Sequence, residues 1–170
     1  MFSALQRRLK DMSTLKSLCL QAEAYALADH QREPGAEHFL LAALDLPDGA
    51  AGRAFARLHA DPAGLKRAIT QQYGEALASV GVNPAHADTL EPPARAKRLY
   101  DAAASGQAVL KALVARKQGD KTPLLSVDVV AVVAEMQQGV APRSLRAMGV
   151  DPAALKSAAL AEVSAYQPDG

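Results

Sequence analysis

Ser13 and Lys16 stand three residues apart in Ser13-Thr14-Leu15-Lys16, the spacing that lets a lysine take the proton of a serine nucleophile. The S-D-N and K-T-G segments that complete that chemistry are missing, so the pair reads as helix surface. Four histidines (His30, His38, His59 and His86) show neither H-E-x-x-H nor a cysteine–histidine spacing, which argues against a metal centre. No G-x-x-x-x-G-K-[ST] loop is present to cradle nucleotide phosphates. Cys19 is the single cysteine, so no intrachain disulfide can form and a cytoplasmic address is expected. No catalytic residue, cofactor or metal is therefore expected. Glu37 is the most informative side chain. It either complements the dipole of a helix that starts beside it, by about 0.3–1 kcal/mol, or stands exposed at that helix mouth to receive a cationic or modified side chain.

The 170 residues suffice for one compact domain. With 19 basic against 18 acidic residues, no strong net field argues for nucleic acid or an anionic membrane. A nucleic-acid-binding regulator using Arg7, Arg8, Arg95, Lys97 and Arg98 is the minor alternative. The reading preferred for these basic clusters is a solvated helix face offset by Asp11 and Asp101. Met1–Met12 has basic residues without the apolar core of a signal peptide. Val129–Ala134, the longest apolar run, is far short of a membrane span.

The elements that must position these residues are written twice. Asp61-Pro62-Ala63-Gly64-Leu65-Lys66 returns as Asp151-Pro152-Ala153-Ala154-Leu155-Lys156, an offset of 90. The same offset pairs Leu9 with Leu99, Arg53 with Arg143, Phe55 with Leu145 and Phe39 with Val129. This predicts an all-α fold of two pseudo-symmetric repeats, about four helices each, packed as one domain over 1–170. Repeat one is set at 3–78, a connector at 79–93 and repeat two at 94–166.

Residues 3–30 read as helix, one or two meeting near Ser13-Thr14, with Leu5, Leu9 and Met12 at helical spacing. Glu37–Leu44 is apolar on nearly every side and predicts a central buried helix. Ala51–Leu58 predicts a short helix. Asp61, with Pro62 at N1, predicts the cap of another that buries Leu65, Ile69 and Tyr73. Repeat two is expected to open with Arg95–Ala104, break near Ser105-Gly106 and resume through Val109–Lys117. The valines of Val127–Glu135 suggest a strand by propensity. The repeat register and Ser126, placed as an N-cap, predict a helix instead. Pro142 opens a short helix, and Asp151-Pro152 opens a last one that ends near Tyr166.

Gly35-Ala36-Glu37-His38-Phe39-Leu40-Leu41-Ala42-Ala43-Leu44, followed by Asp48-Gly49-Ala50-Ala51-Gly52-Arg53-Ala54-Phe55, resembles the Clp N-terminal domain, or Clp repeat. Gly139-Val140-Ala141-Pro142-Arg143 repeats the second segment, and Arg95-Ala96-Lys97-Arg98-Leu99 is similar to the family's R-A-K-R-V-L opening. The resemblance implies an all-α, non-catalytic domain of Clp AAA+ unfoldases that recruits substrates and adaptors. Here it would lack an ATPase module and act as a regulator or decoy in Clp proteolysis; the alternative is the N-terminal fragment of a full-length Clp ATPase. Its implied partners are an unfoldase, an adaptor or a substrate polypeptide, without nucleic acid or membrane. In some of these unfoldases, glutamates of the G-T-E-H motifs recognise phosphoarginine-tagged substrates. Glu37, His38 and Lys97 are the residues that the resemblance carries over. Ala36 replaces the family threonine, and Val127 replaces the acid of copy two.

Overall fold

Two nine-residue helices, buried on nearly every side, form the centre of the protein: α2 (Ala36–Leu44) and α6 (Ser126–Ala134). They pack against each other. Around them lie α1 (Phe2–Ala28), α3 (Ala50–Ala56), α4 (Gly64–Ser79), α5 (Ala104–Lys117), α7 (Val140–Ala147) and α8 (Pro152–Ala165). The computed structural model describes residues 2–83 and 101–167, which contain these eight helices and no strand.

α1 and α5 lie against α2, and α5 and α8 against α6. α3 packs on α8 and α4 on α7, so the later helices of the two halves meet crosswise. The bounds of α2 and α6 differ by 90 at both ends, and α3 and α7 begin 90 apart. Phe39, Leu40, Phe55, Leu65, Ile69, Leu145 and Leu155 are fully enclosed. Each such side chain stabilises the fold by about 1.5–3 kcal/mol relative to solvent exposure.

α6 is a helix despite five valines among its nine residues, all of them buried. A helix satisfies the backbone donors and acceptors within the segment, whereas a lone strand here would have no neighbour to pair with. Asp128 adds the start signal. Its Oδ2 accepts the Leu125 amide at 2.9 Å, so the acid reaches back over the helix N-terminus.

Three local expectations are corrected, and a fourth point left open by the sequence is decided. First, Ser126 is the first residue of α6 rather than its cap. Its Oγ accepts the Ala51 amide at 2.8 Å and bonds the Asp48 carboxylate, tying α6 to the start of α3. Second, Ser105-Gly106 does not break a helix but lies in the first turn of α5, while Asp101–Ala103 are not helical. A Cβ on Gly106 would fall 2.3 Å from the Pro34 carbonyl oxygen, so this glycine serves close approach of α5 to the entry of α2. Third, Asp61 caps a turn ahead of α4: its Oδ1 accepts the Ala63 amide at 2.9 Å, and the helix starts at Gly64. Asp151, by contrast, does cap α8 through the Ala154 amide at 3.0 Å. Fourth, α1 is one continuous helix across Ser13-Thr14.

The stripe Leu5, Leu9, Met12 does not enter the core; these side chains are 58–66% exposed. Full burial along α1 begins only at Leu18. One face of the first half of α1 therefore stays outside the core.

Candidate functional site

At the entry to α2 the backbone turns through Pro34-Gly35, and four side chains converge. The Gly35 amide donates to His38 Nδ1 at 2.9 Å, which leaves the ring proton on Nε2, facing Asp29 Oδ2 at 3.2 Å. Glu37 folds back over the same turn. A Cβ at Gly35 would stand 2.5 Å from Glu37 Oε1, so the glycine makes room for the carboxylate. The Tyr73 hydroxyl, from α4, donates to Glu37 Oε1, and its ring stacks on His38 with centroids 6.1 Å apart. Burial first, then the Glu37 carboxylate, push the Tyr73 phenol well above the usual tyrosine range.

Glu37 is therefore not an exposed carboxylate at a helix mouth; it is 5% exposed and hydrogen-bonded within the fold. His38 is fully buried. The two are brought together, 3.6 Å apart between Oε1 and Nδ1. Lys97 lies outside the described residues, as does the rest of Arg95–Leu99.

Ninety residues on from His38 is Asp128, which takes the same backward bond at α6. Its carboxylate is fully buried and meets Arg116 Nε at 3.0 Å and Lys117 Nζ at 2.8 Å. Sequence reading sought an acid at Val127 and missed this one a residue later. The signal was available: an acid three residues into an apolar run bonds back over the helix start. Among the described residues, no cluster of histidine, cysteine, aspartate or glutamate has the arrangement of a metal site.

The outer surface offers a different site. Side chains of α1 and α5 together line an apolar groove of about 160 Å³. Met12 and Leu15 form one wall, Leu110, Leu113 and Val114 the other, and Leu124 closes the end. Met12 is 66% and Val114 61% exposed. Both charged lining residues are engaged elsewhere: Asp11 Oδ1 accepts the Leu124 amide at 2.7 Å, and Lys117 pairs with Asp128. What remains open to a ligand is hydrocarbon from one helix of each half of the chain. The sequence does not locate this groove, because Met12, at helical spacing with Leu5 and Leu9, does not show by its spacing which side of α1 stays outside the core.

Comparison with known families matches residues 13–126, more than half of the chain, to the Clp repeat (R) N-terminal domain. This chain belongs to that family. No curated protein matches it. The Clp repeat domain is a non-catalytic protein-interaction domain, and the all-helical architecture described above agrees with it. The matched stretch holds the Glu37–Tyr73 cluster and most of the groove, from Leu15 to Leu124. Among the described residues, no helix is long and apolar enough to cross a membrane.

Proposed function

We propose that this Clp repeat domain captures polypeptides for a Clp AAA+ unfoldase, holding an apolar segment of a substrate or adaptor in the α1–α5 groove. The observation that carries the reading is the groove itself: six apolar side chains, two of them more than 60% exposed, with every charged lining group already engaged. Burying them is favourable by about 25 cal/mol per Å² of apolar surface. A groove this small fits a weak, reversible contact below about 1,200 Å² in total, which suits a module that must hand its ligand on. As part of a longer unfoldase or alone as a regulator, the module would hold its ligand in the same way.

Reduced, carboxymethylated α-lactalbumin, a permanently unfolded protein, provides the test. Its fluorescently labelled form should bind the chain in an anisotropy titration, and Val114→Glu should weaken binding at least tenfold. Val114 is exposed, so the variant should fold normally, which circular dichroism would verify. Undiminished binding by Val114→Glu would sink the groove reading.

A second reading concerns Glu37, His38 and Lys97. Because the Tyr73 hydroxyl sits on Glu37, a cationic side chain reaches this carboxylate only by displacing Tyr73. Tyr73→Phe should then strengthen binding of an arginine-rich peptide, and Glu37→Ala should abolish it. Unchanged binding in both variants would remove Glu37 from the binding surface.

A further inference from the structure

We infer that the polypeptide segment taken by the α1–α5 groove is apolar at its centre and flanked by aspartates and glutamates. The inference rests on reading the groove as the binding site. Its basis is an uneven charge distribution beneath a nearly neutral total. Residues 1–16 and 104–122, which supply the two groove helices and the turn after α5, hold eight lysines and arginines against Asp11 and Asp120; Arg116 and Lys117 are paired with the buried Asp128 of α6, which leaves six cations facing two acids. The rest of the chain holds eleven against sixteen acids. The neutral average conceals a basic face on an acidic body.

The position of these cations makes the face specific. Arg8 and Lys16 lie one helical turn before and after Met12 on α1, and Lys111 lies three residues before Val114 on α5. Arg7 Nη1 donates to the Lys121 carbonyl oxygen at 2.9 Å, which holds the turn bearing Lys121 against α1. Among the described residues, Arg8, Lys16, Lys111 and Lys121 form no ion pair. Asp11 and Asp120 offset only part of this positive charge. Asp11 is tied to the Leu124 amide, and Asp120 is tied to Thr122 and Lys117. A ligand with carboxylates on either side of an apolar centre supplies both what the groove lacks and what its rim lacks. Such complementarity acts mainly on encounter rate and partner choice. Concavity favours a polypeptide over an anionic lipid surface, which would meet the α1 stripe but could not enter between two helices.

The experiment uses the full chain and four probes, at 50 mM and 500 mM NaCl. Three are labelled twelve-residue peptides: a Leu/Phe/Val centre with Asp/Glu flanks, the same centre with Lys flanks, and a Gly/Ser centre with Asp/Glu flanks. The fourth is phosphatidylserine vesicles, read by co-sedimentation. The acid-flanked apolar peptide should bind at least tenfold more tightly than the other two at low salt. That preference over the Lys-flanked peptide should fall below threefold at high salt, where the screening length is about 4–5 Å. The triple charge reversal Arg8→Glu, Lys16→Glu, Lys111→Glu should invert it. If acid- and Lys-flanked peptides bind equally and Val114→Glu abolishes both, the charge inference is wrong and the groove reading stands. No peptide binding at all overturns both. Vesicle binding that the apolar peptide cannot compete with replaces the polypeptide by a membrane surface.

Discussion

Tyr73 is the residue whose ionisation reports most directly on the entry to α2. Its phenol is held neutral by burial and by the Glu37 carboxylate, so its folded pKa lies above the unfolded value of 10. A group raised in this way contributes stability that is fully present below pH 10 and declines as pH rises beyond it. Tyr25, raised to about 12 chiefly by its hydrogen bond to Asp45, acts in the same direction. The urea midpoint should therefore fall between pH 9 and pH 11, and Tyr73→Phe should remove a substantial part of that fall. At the acid end the sign reverses. Glu162 is destabilised by burial, but Arg57 and Arg53, at 2.6 and 2.9 Å, outweigh this and lower its pKa below 4.5. Burial of Asp120 is likewise outweighed, by Thr122 and Lys117, which bring it to about 2. Both contributions are present above about pH 4.5 and vanish as pH falls through the folded values. Glu162→Gln should flatten the acid limb of a stability–pH curve, and an unchanged limb would show that the α3–α8 ion pairs contribute nothing. Little of this was legible in the sequence. Glu37 and His38 stood out by type, but the tyrosine that covers them arrives from 36 residues away, and no local pattern encodes that contact.

At the scale of elements, two short helices carry the fold and two substitutions test why. Gly106 lets α5 approach the Pro34 carbonyl oxygen, so Gly106→Ala forces a backbone shift that should cost about 1–3 kcal/mol. An exposed glycine-to-alanine change in a helix would instead stabilise by about 0.5–1 kcal/mol, so the sign alone distinguishes close packing from a breaker. Asp128→Ala removes the bond to the Leu125 amide and leaves Arg116 and Lys117 without their buried partner. A loss of about 3–5 kcal/mol is expected in denaturant unfolding; a loss below 1 kcal/mol would mean the pair is effectively solvated. Helix positions were largely readable from periodicity and from the 90-residue register, which correctly overrode the β-propensity of the α6 valines. Caps were less readable. Ser126 and Asp61 have the right residue types beside helix starts, yet Ser126 bonds across to Ala51 and Asp48, while Asp61 closes a local turn on the Ala63 amide. Ser105-Gly106 failed for a related reason: glycine signals a turn locally but is also the residue that permits close contact.

For the whole molecule, membership of the Clp repeat family and the all-α architecture were both legible, since the Gly35–Leu44 and Asp48–Phe55 segments carry the family pattern and helical spacing runs through much of the chain. The binding surface was not, because the helical spacing of Leu5, Leu9 and Met12 does not reveal that packing leaves these side chains exposed. Charge totals misled as well, balancing to +1 over the chain while the groove face is basic. If the two halves are true repeats, as proposed, then 36–79 and 126–165 should superpose by a rotation close to 180° in an experimentally determined structure. The central claim is that a polypeptide occupies the α1–α5 groove. A titration of the methyl-labelled chain with an unfolded polypeptide, followed by nuclear magnetic resonance, tests it most directly. The account predicts shifts concentrated on Met12, Leu15, Leu110, Leu113, Val114 and Leu124, with Leu65, Ile69 and the valines of α6 unmoved. Shifts centred on the Glu37–Tyr73 side of the bundle, or none at saturating polypeptide, would contradict it.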